Sequence, residues 1–389
     1  MKYDSLKKLF HIDEKEQKKR YEARFSSEAA IQLPFDIQGN QAFVFLTPSL
    51  VKLCEKILQA NAQLNRLSQN LPCTKLIFVD ALFREIENSN EIEGIHSSRQ
   101  QLNEALHAKT PIHFTNTVHK YLRLISASKD PFPQTAADIR RIYDQLLIND
   151  VDTGDWPDGE LFRKKPVYVV GAQKPVHTGL YPEEQIIETL NNLLEVMKDD
   201  EIPDLVKVGI FHFIFGYIHP FYDGNGRLNR YLSTLFLSEK TGVAASLQLS
   251  VTLRAKRSKY YRMFELCEDP LNKGDLTPFI IFFMETFLES LLRENAVLET
   301  KSRQYADYEQ MINELDPNET DHHFLSQLAQ GALFTTDGFT KKELAEELNC
   351  SQATINKLVT KYSRLIHVTR QGRFFHYMLN DLNEKRLEA

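Results

Sequence analysis

Twelve residues in the middle of the chain, from His219 to Arg230, restrict its fold more than any other segment. They read His-Pro-Phe-Tyr-Asp-Gly-Asn-Gly-Arg-Leu-Asn-Arg. Pro220 disfavours the helical conformation at the residue before it, so the helical pattern over Leu205 to Ile218 has to end there. A second helix is predicted from about Arg227, because apolar residues then recur at helical spacing. Its buried face comprises Leu228, Tyr231, Leu232, Leu235 and Phe236. The segment is therefore a turn between two packed helices.

The turn itself has the features of an anion-binding site. Gly224-Asn225-Gly226 allows a backbone with positive φ, so that consecutive N–H groups can point to one side. The free N–H groups at the start of the following helix point the same way. Arg227 and Arg230 are three residues apart, hence neighbours on the first helical turn, and they can clamp phosphate oxygens there.

Two side chains at the edges of the turn add chemistry to this anion site. The carboxylate of Asp223 can hold a Mg²⁺ ion that also bridges phosphates. His219 can accept a proton near neutral pH. Taken singly, a Gly-Asn-Gly is usually only a loop, a His before Pro is usually structural, and two arginines on a helix usually face solvent. Together and in this order, these residues predict a nucleotidyl-transfer site.

The composition limits the class of protein. At 389 residues the chain is too long for one ordinary domain, and two or three are expected. A hydrophobic share of 42 % is typical of a globular protein, and a net charge of -6 argues against bulk binding to nucleic acid. Because neither a signal-peptide pattern nor a long apolar stretch is found, a cytoplasmic location without a membrane partner is predicted. The four scattered cysteines are predicted to be reduced thiols.

The segment from His219 to Arg230 resembles the Fic motif, HPFx(D/E)GN(G/K)RxxR, and matches it at every specified position. The resemblance implies that His219 is the general base that deprotonates a target hydroxyl, that Asp223 binds Mg²⁺, and that Phe221 anchors the loop in the core. The implied nucleotide-binding residues are Gly224, Asn225 and Gly226 for the α- and β-phosphates (through their backbone and the Asn side chain), Arg227 for the β-phosphate and Arg230 for the γ-phosphate. Gly226 stands where Doc-like kinases carry Lys, which favours transfer of AMP over transfer of phosphate.

A second, shorter motif lies upstream, where residues 89–94 read Ser-Asn-Glu-Ile-Glu-Gly. Taken alone, Glu93 would be interpreted as a solvated surface carboxylate. The segment is similar to the Fic inhibitory motif, (S/T)xxxE(G/N), at Ser89, Glu93 and Gly94. The resemblance implies that Glu93 pairs with Arg230 and occupies the place that the γ-phosphate of ATP needs. In some members of the family the same Glu also supports removal of AMP.

Three other features are interpreted with their alternatives left open. The β-branched and aromatic stretch from Val167 to Thr178 predicts a short hairpin. It matches the place of the Fic flap, which holds a target by β-augmentation, and a purely structural hairpin is the alternative. The resemblance suggests that Tyr261 lines an adenine pocket, and core packing is the alternative. His212 is interpreted as a packed helical residue, because no further ligand pattern supports a metal site.

The C-terminal part, from Gly338, has the pattern of a winged helix. Thr340 and Ser351 are predicted to cap two helices, and a β-hairpin wing follows around Gln371-Gly372. Five basic residues and no acidic ones lie between Ser351 and Arg373, so DNA contact is open. The surrounding module adds many carboxylates, and winged helices also serve in protein contacts and dimers, so a protein contact is the alternative.

The predicted fold is mainly α: a Fic-fold helical core with a β-hairpin flap and a C-terminal winged-helix domain. The regions are 1–115 with the inhibitory motif, 116–300 as the catalytic core, and 301–389 with a linker helix and the winged helix. Residues 1 to about 40 are polar and are predicted to be a loosely attached lead-in.

The resemblance implies a protein adenylyltransferase. It would move AMP from ATP, with Mg²⁺, onto a Ser, Thr or Tyr hydroxyl of a target protein or of itself, and many relatives form homodimers. Two alternatives stay open. One is a transferase of the same fold that moves UMP, phosphate or phosphocholine, and the other is a DNA-binding regulator whose Fic domain senses nucleotide.

Overall fold

The computed structural model describes residues 3–126, 130–170, 175–371 and 374–381. Over these residues the chain is mainly helical with small antiparallel sheets, which confirms the predicted fold class. It forms two compact units. The first comprises Met1–Asn65 and Ala81–Arg293, and the second comprises Arg66–Asp80 and Glu294–Ala389.

The helices and strands follow one another in this order. Up to residue 170 they are α1 (Leu6–Ile12), α2 (Glu14–Phe25), β1 (Ala30–Ile37), β2 (Asn40–Phe45), α3 (Pro48–Asn70), α4 (Thr74–Ile92), α5 (Arg99–His107), α6 (Thr115–Ile125), α7 (Ala136–Leu147) and β3 (Tyr168–Val170). After it come β4 (Pro175–Thr178), α8 (Glu183–Lys198), α9 (Asp204–Ile218), α10 (Asn225–Lys240), α11 (Val243–Ser246), α12 (Leu249–Ala255), α13 (Arg257–Glu268), α14 (Thr277–Glu314), α15 (Glu319–Phe334), β5 (Phe339–Thr340), α16 (Lys341–Glu347), α17 (Gln352–Lys361), β6 (Ile366–Gln371) and β7 (Phe374–Leu379).

Helices α9 and α10 pack against each other in the core of the first unit. α9 is apolar on all sides and buried over nearly its whole length, as a core helix must be. His212 of α9 lies 2.9 Å from the Ser233 hydroxyl of α10 through Nδ1 and 2.6 Å from the Tyr260 hydroxyl through Nε2. Burial lowers the pKa of His212 well below its usual value. His212 is therefore a neutral, packed residue, as its sequence context predicts.

The N-terminal residues are packed onto the first unit, so the prediction of a loosely attached lead-in is wrong. Leu6 of α1 and Phe43 of the β1–β2 hairpin are fully buried. The Tyr3 hydroxyl donates to the buried carboxylate of Asp275 at 2.6 Å, and Arg24 pairs with the same carboxylate at 3.1 Å. Buried apolar side chains and hydrogen bonds to one buried acid together attach this segment, and the distant acid cannot be recognised from the polar sequence of the segment.

The predicted hairpin before α8 is present. Strands β3 and β4 pair antiparallel, with Tyr168 opposite Thr178 and Val169 opposite His177. The predicted turn residues Gly171, Gln173 and Lys174 lie outside the described residues. The role of this hairpin as a flap stays a prediction.

The second unit has a core of its own. Helices α15, α16 and α17 pack with a three-stranded antiparallel sheet in the order β5–β7–β6. Thr340 caps α16 in a capping box with Glu343, and Ser351 caps α17, as predicted. The helices and the hairpin of the predicted winged helix are thus present, while Gly372 and Arg373 of the wing lie outside the described residues. The winged-helix assignment itself stays a prediction.

The grouping of segments differs from the three regions drawn on the sequence. Residues 1–65 belong to the same unit as the His219–Arg230 segment, and residues 66–80 belong with the C-terminal unit. Among the residues that the structure describes, no helix combines the length and the apolar character needed to cross a membrane.

Candidate active site

The loop between α9 and α10 begins where α9 ends. His219 adopts the left-handed conformation at φ +52°, and its N–H closes the helix onto Phe215 O at 3.1 Å. The next apolar residue, Phe221, is fully buried and stacks on Tyr143 with ring centroids 3.7 Å apart. This stacking fixes the loop to the core, which is the anchoring that the resemblance implies for Phe221.

The loop is closed by the side chain of Asn225. Its Oδ1 accepts from Phe221 N–H at 2.9 Å, and its Nδ2 donates to Phe221 O at 2.8 Å. Gly224 precedes it at φ +81°, and a Cβ there would lie 2.8 Å from Leu147 Cδ1, so the position needs glycine. The Asn225 amide therefore fastens the loop in this structure. What Asn225 presents to an anion is its backbone N–H at the start of α10.

In the part of the chain that the structure describes, the guanidinium group of Arg227 has one unpaired N–H donor. Its side chain is only 4 % exposed, and Nη2 donates to Asp223 Oδ2 at 3.1 Å. Its Nε is buried and has no hydrogen-bond partner among the described residues. An unpaired buried donor costs about 1–3 kcal/mol. Arg227 thus lies on the first turn of α10 with this unpaired donor, and its contact with a phosphate stays a prediction.

Asp223 lies at the open edge of the loop. Its side chain is 51 % exposed, and Oδ1 accepts from Gly224 N–H at 2.6 Å. Proteins commonly bind Mg²⁺ through one or two carboxylates, while the phosphates of the substrate and water complete the coordination. A single exposed carboxylate beside an anion cradle fits that donor set.

Arg230 is buried and already bonded to the segment at 89–94. Its Nε donates to Ser89 Oγ at 2.8 Å and its Nη2 to Ser89 O at 2.8 Å. Nη2 also lies 2.8 Å from Glu93 Oε1, with the Arg230 side chain 1 % exposed. The structure thus contains the ion pair between Glu93 and Arg230 that the resemblance implies.

The carboxylate of Glu93 lies against the start of α10. A Cβ built on Gly226 would be 2.0 Å from Glu93 Oε1 and 3.0 Å from Arg230 Nη1. The N-terminus of a helix and a guanidinium both attract negative charge. A carboxylate of the protein itself thus lies beside the loop for which the sequence predicts an anion cradle.

The end of α4 fixes Glu93 in this place. Gly94 adopts φ +77°, and its N–H donates to Glu91 O at 3.1 Å, while Ile95 N–H donates to Asn90 O at 3.0 Å. These two bonds form a Schellman motif, a common C-terminal cap for which glycine is the usual residue. The predicted Gly94 is thus the residue that ends the helix directly after Glu93.

One buried acid near the site is absent from the sequence predictions. Glu85 lies one turn before Ser89 on α4, and its carboxyl accepts from Ser250 N–H at 2.8 Å and from the Ser250 hydroxyl at 2.5 Å. Burial raises the pKa of Glu85 to about 7. The four-residue spacing of Glu85, Ser89 and Glu93 is the signal that could have revealed it.

Tyr261 lies beside the segment at 89–94. Its hydroxyl donates to Ile92 O at 3.3 Å, and its ring is half-buried. Burial, and then the charge of Glu93, raises the pKa of Tyr261. The structure thus places Tyr261 at the end of α4, close to Glu93, and its assignment to an adenine pocket stays a prediction.

Comparison with known proteins identifies the segment that contains this loop. Residues 133–237 match the family model described as Fic/DOC family. A Drosophila virilis protein named protein adenylyltransferase Fic is 25 % identical over 247 residues, which is 63 % of this chain and 41 % of that protein. The Drosophila willistoni protein of the same name is 24 % identical over 204 residues, 52 % of this chain and 33 % of that one. The chain thus matches less than half the length of these relatives.

A solved structure supports the fold over nearly the whole chain. The crystal structure of a Fic family protein from Desulfovibrio desulfuricans G20 is 20 % identical and covers 90 % of this chain and 98 % of its own, with a TM-score of 0.55. At this identity the likeness concerns the fold alone. Ser89, Glu93 and Gly94 lie outside the segment that the family model matches.

Proposed function

We propose, from the premise that residues 133–237 form a Fic/DOC-family domain, that this protein is a protein adenylyltransferase held in check by Glu93. It would transfer AMP from ATP to a Ser, Thr or Tyr hydroxyl of a target protein. The observation that carries the proposal is the carboxylate of Glu93, which lies on Arg230 and over Gly226 as an anion would. The names of the Drosophila relatives agree with this activity.

The proposed reaction is a substitution at the α-phosphorus of ATP. His219 takes the proton of the target hydroxyl, and the hydroxyl oxygen forms a bond to the α-phosphorus. The bond from that phosphorus to the bridging oxygen breaks, and pyrophosphate leaves. Positioning and stabilisation of charge supply most of such a catalysis, and a general base adds about 10²–10⁴-fold.

The residues of the loop divide this work. The N–H groups at the start of α10 and the Nε of Arg227 would bind phosphate oxygens. Asp223 would hold Mg²⁺, which supplies positive charge beside the phosphates. Phe221 and Asn225 keep the loop in shape, because one anchors it in the core and the other closes its ends.

The proposed inhibition is a competition for one position. Arg230 has to receive the γ-phosphate, but Ser89 and Glu93 take its Nε and Nη2. While Glu93 remains, ATP binds weakly or with its α-phosphate out of line. Whatever draws Glu93 away activates the enzyme.

The hairpin β3–β4 supports the proposed choice of a protein as target. It is a two-stranded sheet whose first strand carries an exposed Tyr168. Such an edge can pair with an extended segment of another chain by adding one strand. A target segment bound there would present its hydroxyl to the loop.

Mass spectrometry of the labelled protein tests the transferred group. The Glu93→Gly variant is incubated with ATP, UTP and CDP-choline together, and modified peptides are sequenced. We expect the mass of AMP on Ser, Thr or Tyr side chains. Addition of UMP, phosphate or phosphocholine in its place would show that the fold carries a different transfer.

A further inference from the structure

Arg163 is a wholly buried arginine whose charge faces backbone carbonyl groups. Its side chain is 0 % exposed. Nε donates to His219 O at 2.9 Å, Nη1 to Lys165 O at 2.8 Å, and Nη2 to Leu180 O at 2.8 Å. Nη2 also lies 3.4 Å from Ile218 O. In the described part of the chain, no carboxylate pairs with this guanidinium.

The carbonyl groups that Arg163 binds come from two functional elements. Ile218 and His219 are the last residue of α9 and the candidate general base. Lys165 comes three residues before β3, and Leu180 comes two residues after β4. One planar guanidinium therefore joins the backbone of the general base to both ends of the hairpin.

The surrounding contacts tighten the same junction. Arg163 N–H donates to Pro220 O at 3.3 Å, and Leu180 N–H donates to Ile218 O at 3.0 Å. A Cβ at Gly179 would be 2.5 Å from Arg163 Nη2 and 3.0 Å from the Cβ of His219. The three segments are thus packed without room for another side chain at Gly179.

Arginine suits this junction for physical reasons. The carbonyl groups at the end of a helix carry partial negative charge, which favours a cation at Ile218 and His219. The planar fork of donors can serve several fixed acceptors at once, and the single ammonium of a lysine cannot. Burial lowers the pKa of Arg163, which shows that enclosing this charge is unfavourable. The position therefore keeps a costly residue whose geometry no other side chain supplies.

We propose that Arg163 is a positioning residue that holds the His219 backbone in register with the hairpin, so that the proton acceptor and the docked hydroxyl meet. This inference rests on the proposed function. Arg163 touches neither nucleotide-binding arginine in the described contacts, so its loss should slow the chemical step and leave ATP binding nearly unchanged.

The kinetic test uses Arg163→Lys in the Glu93→Gly background. Self-labelling with α-labelled ATP is followed over a range of ATP concentrations. We expect the maximal rate to fall about 10²-fold, the size of effect that a misplacement of about 1 Å produces. The half-saturating ATP concentration should stay within about two-fold of the parent. Unchanged labelling, or a rate loss explained by weaker ATP binding, would overturn the proposal.

A neighbouring arginine gives a matched control. Arg140 Nη1 donates to Leu161 O at 2.8 Å, and its Nε pairs with Asp144, but none of these partners belongs to α9 or to the hairpin. Arg140→Lys in the same background should label within about two-fold of the parent, because the register of His219 does not depend on it. An equal loss in both variants would indicate a general structural effect instead.

Hydrogen exchange provides a second test of the proposal, and this test needs no nucleotide. The amides of Gly179 and Leu180 donate to Val167 O and Ile218 O, and they report on the junction directly. In Arg163→Lys they should exchange at least about ten-fold faster, while the amide of Ile355 in the second unit keeps its rate. Unchanged exchange at Gly179 would contradict the proposal that Arg163 joins the His219 backbone to the hairpin. If the Glu93→Gly parent does not label itself at all, the proposed function fails. The hydrogen-exchange measurement alone then decides the role of Arg163.

Discussion

Arg230 is the residue at which nucleotide binding and inhibition compete in the proposed function. It is buried, and the inhibitory segment takes its Nε and Nη2 through Ser89 and Glu93. A hydrogen bond to a charged partner is worth about 1.5–3 kcal/mol. Since every 1.4 kcal/mol is about ten-fold in an equilibrium, one carboxylate is enough to control access of ATP to the site.

Replacing that carboxylate should release the enzyme. Glu93→Gly removes the ion pair to Arg230 and clears the space over Gly226. We expect self-labelling from α-labelled ATP to rise about 10- to 100-fold, the range that about 1.5–3 kcal/mol of competing interaction gives. The measurement is the initial rate of covalent label incorporation at fixed ATP.

Glu91 supplies the control for this experiment. It lies two residues away on the same helix, is exposed, and pairs with Arg254 rather than with Arg230. Glu91→Ala removes this exposed carboxylate without adding glycine flexibility at a residue whose carbonyl accepts from Gly94 N–H, so labelling should stay near the wild-type rate. Equal initial rates of labelling in wild type and Glu93→Gly would contradict the proposed inhibition.

Among the elements, α4 is the one that couples the inhibitory motif to the core. Glu85, Ser89 and Glu93 follow at intervals of four residues and so occupy one face of the helix. Glu85 bonds to Ser250 of α12, and the other two bond to Arg230 of α10. A shift of α4 would therefore move Glu93 and the buried Glu85 together.

The buried carboxyl of Glu85 on α4 makes the free energy of unfolding depend on pH. Burial raises the pKa of Glu85 to about 7 from 4.5. The unfolded chain ionises first as pH rises, so the contribution of Glu85 is full below pH 4.5 and is lost as pH rises to about 7. Relative to wild type, Glu85→Gln should gain about 3 kcal/mol of unfolding free energy over this window and then level off.

Urea unfolding of both proteins at several pH values checks this prediction. Glu91→Gln, on the exposed side of the same helix, is the control and should follow the wild-type curve. A difference between Glu85→Gln and wild type that stays constant from pH 4.5 to 7 would show that Glu85 ionises as freely in the folded protein as in the unfolded chain.

The end of α4 gives a second prediction for this element. At φ +77°, Gly94 is in the left-handed region, and a Cβ there meets nothing within 4 Å. Gly94→Ala should therefore cost only backbone strain, about 1–2 kcal/mol. Because Glu93 precedes it directly, labelling should also rise, but less than in Glu93→Gly.

Gly154 is the matched control for Gly94. A Cβ at Gly154 also meets nothing within 4 Å, and its φ lies outside the left-handed region. Gly154→Ala should leave both the unfolding free energy and the labelling rate unchanged. If Gly94→Ala and Gly154→Ala show the same unfolding free energy and the same labelling rate, the Schellman cap does not hold Glu93 in its place.

For the whole molecule, the sequence predicted those parts whose residues form local patterns. Pro220 and the glycines of the loop mark the turn between α9 and α10, and the apolar periodicity predicts both helices. A β-branched and aromatic stretch predicts the β3–β4 hairpin, and Thr340 and Ser351 mark the starts of α16 and α17. In each case, neighbours in sequence carry the signal.

The features that escaped prediction depend on partners far apart in the chain. Tyr3 and Arg24 reach Asp275 across 272 and 251 residues, and Glu85 reaches Ser250 across 165 residues. Among the described residues, Arg163 binds only main-chain carbonyl groups, which have no sequence signature. A buried polar residue without a local pattern looks like a solvated one until its partners are known.

In the proposed function, the loop after α9 directs an activated hydroxyl to the α-phosphorus of ATP, with His219 as the base. This proposal is tested most directly by comparing ATP labelled at the α-phosphate with ATP labelled at the γ-phosphate, in Glu93→Gly with and without His219→Ala. We expect covalent α-label, no γ-label, and a loss of α-label of about 10²–10⁴-fold without the imidazole. Stable γ-label on the protein, or α-label of equal strength when residue 219 is alanine, would contradict this proposal.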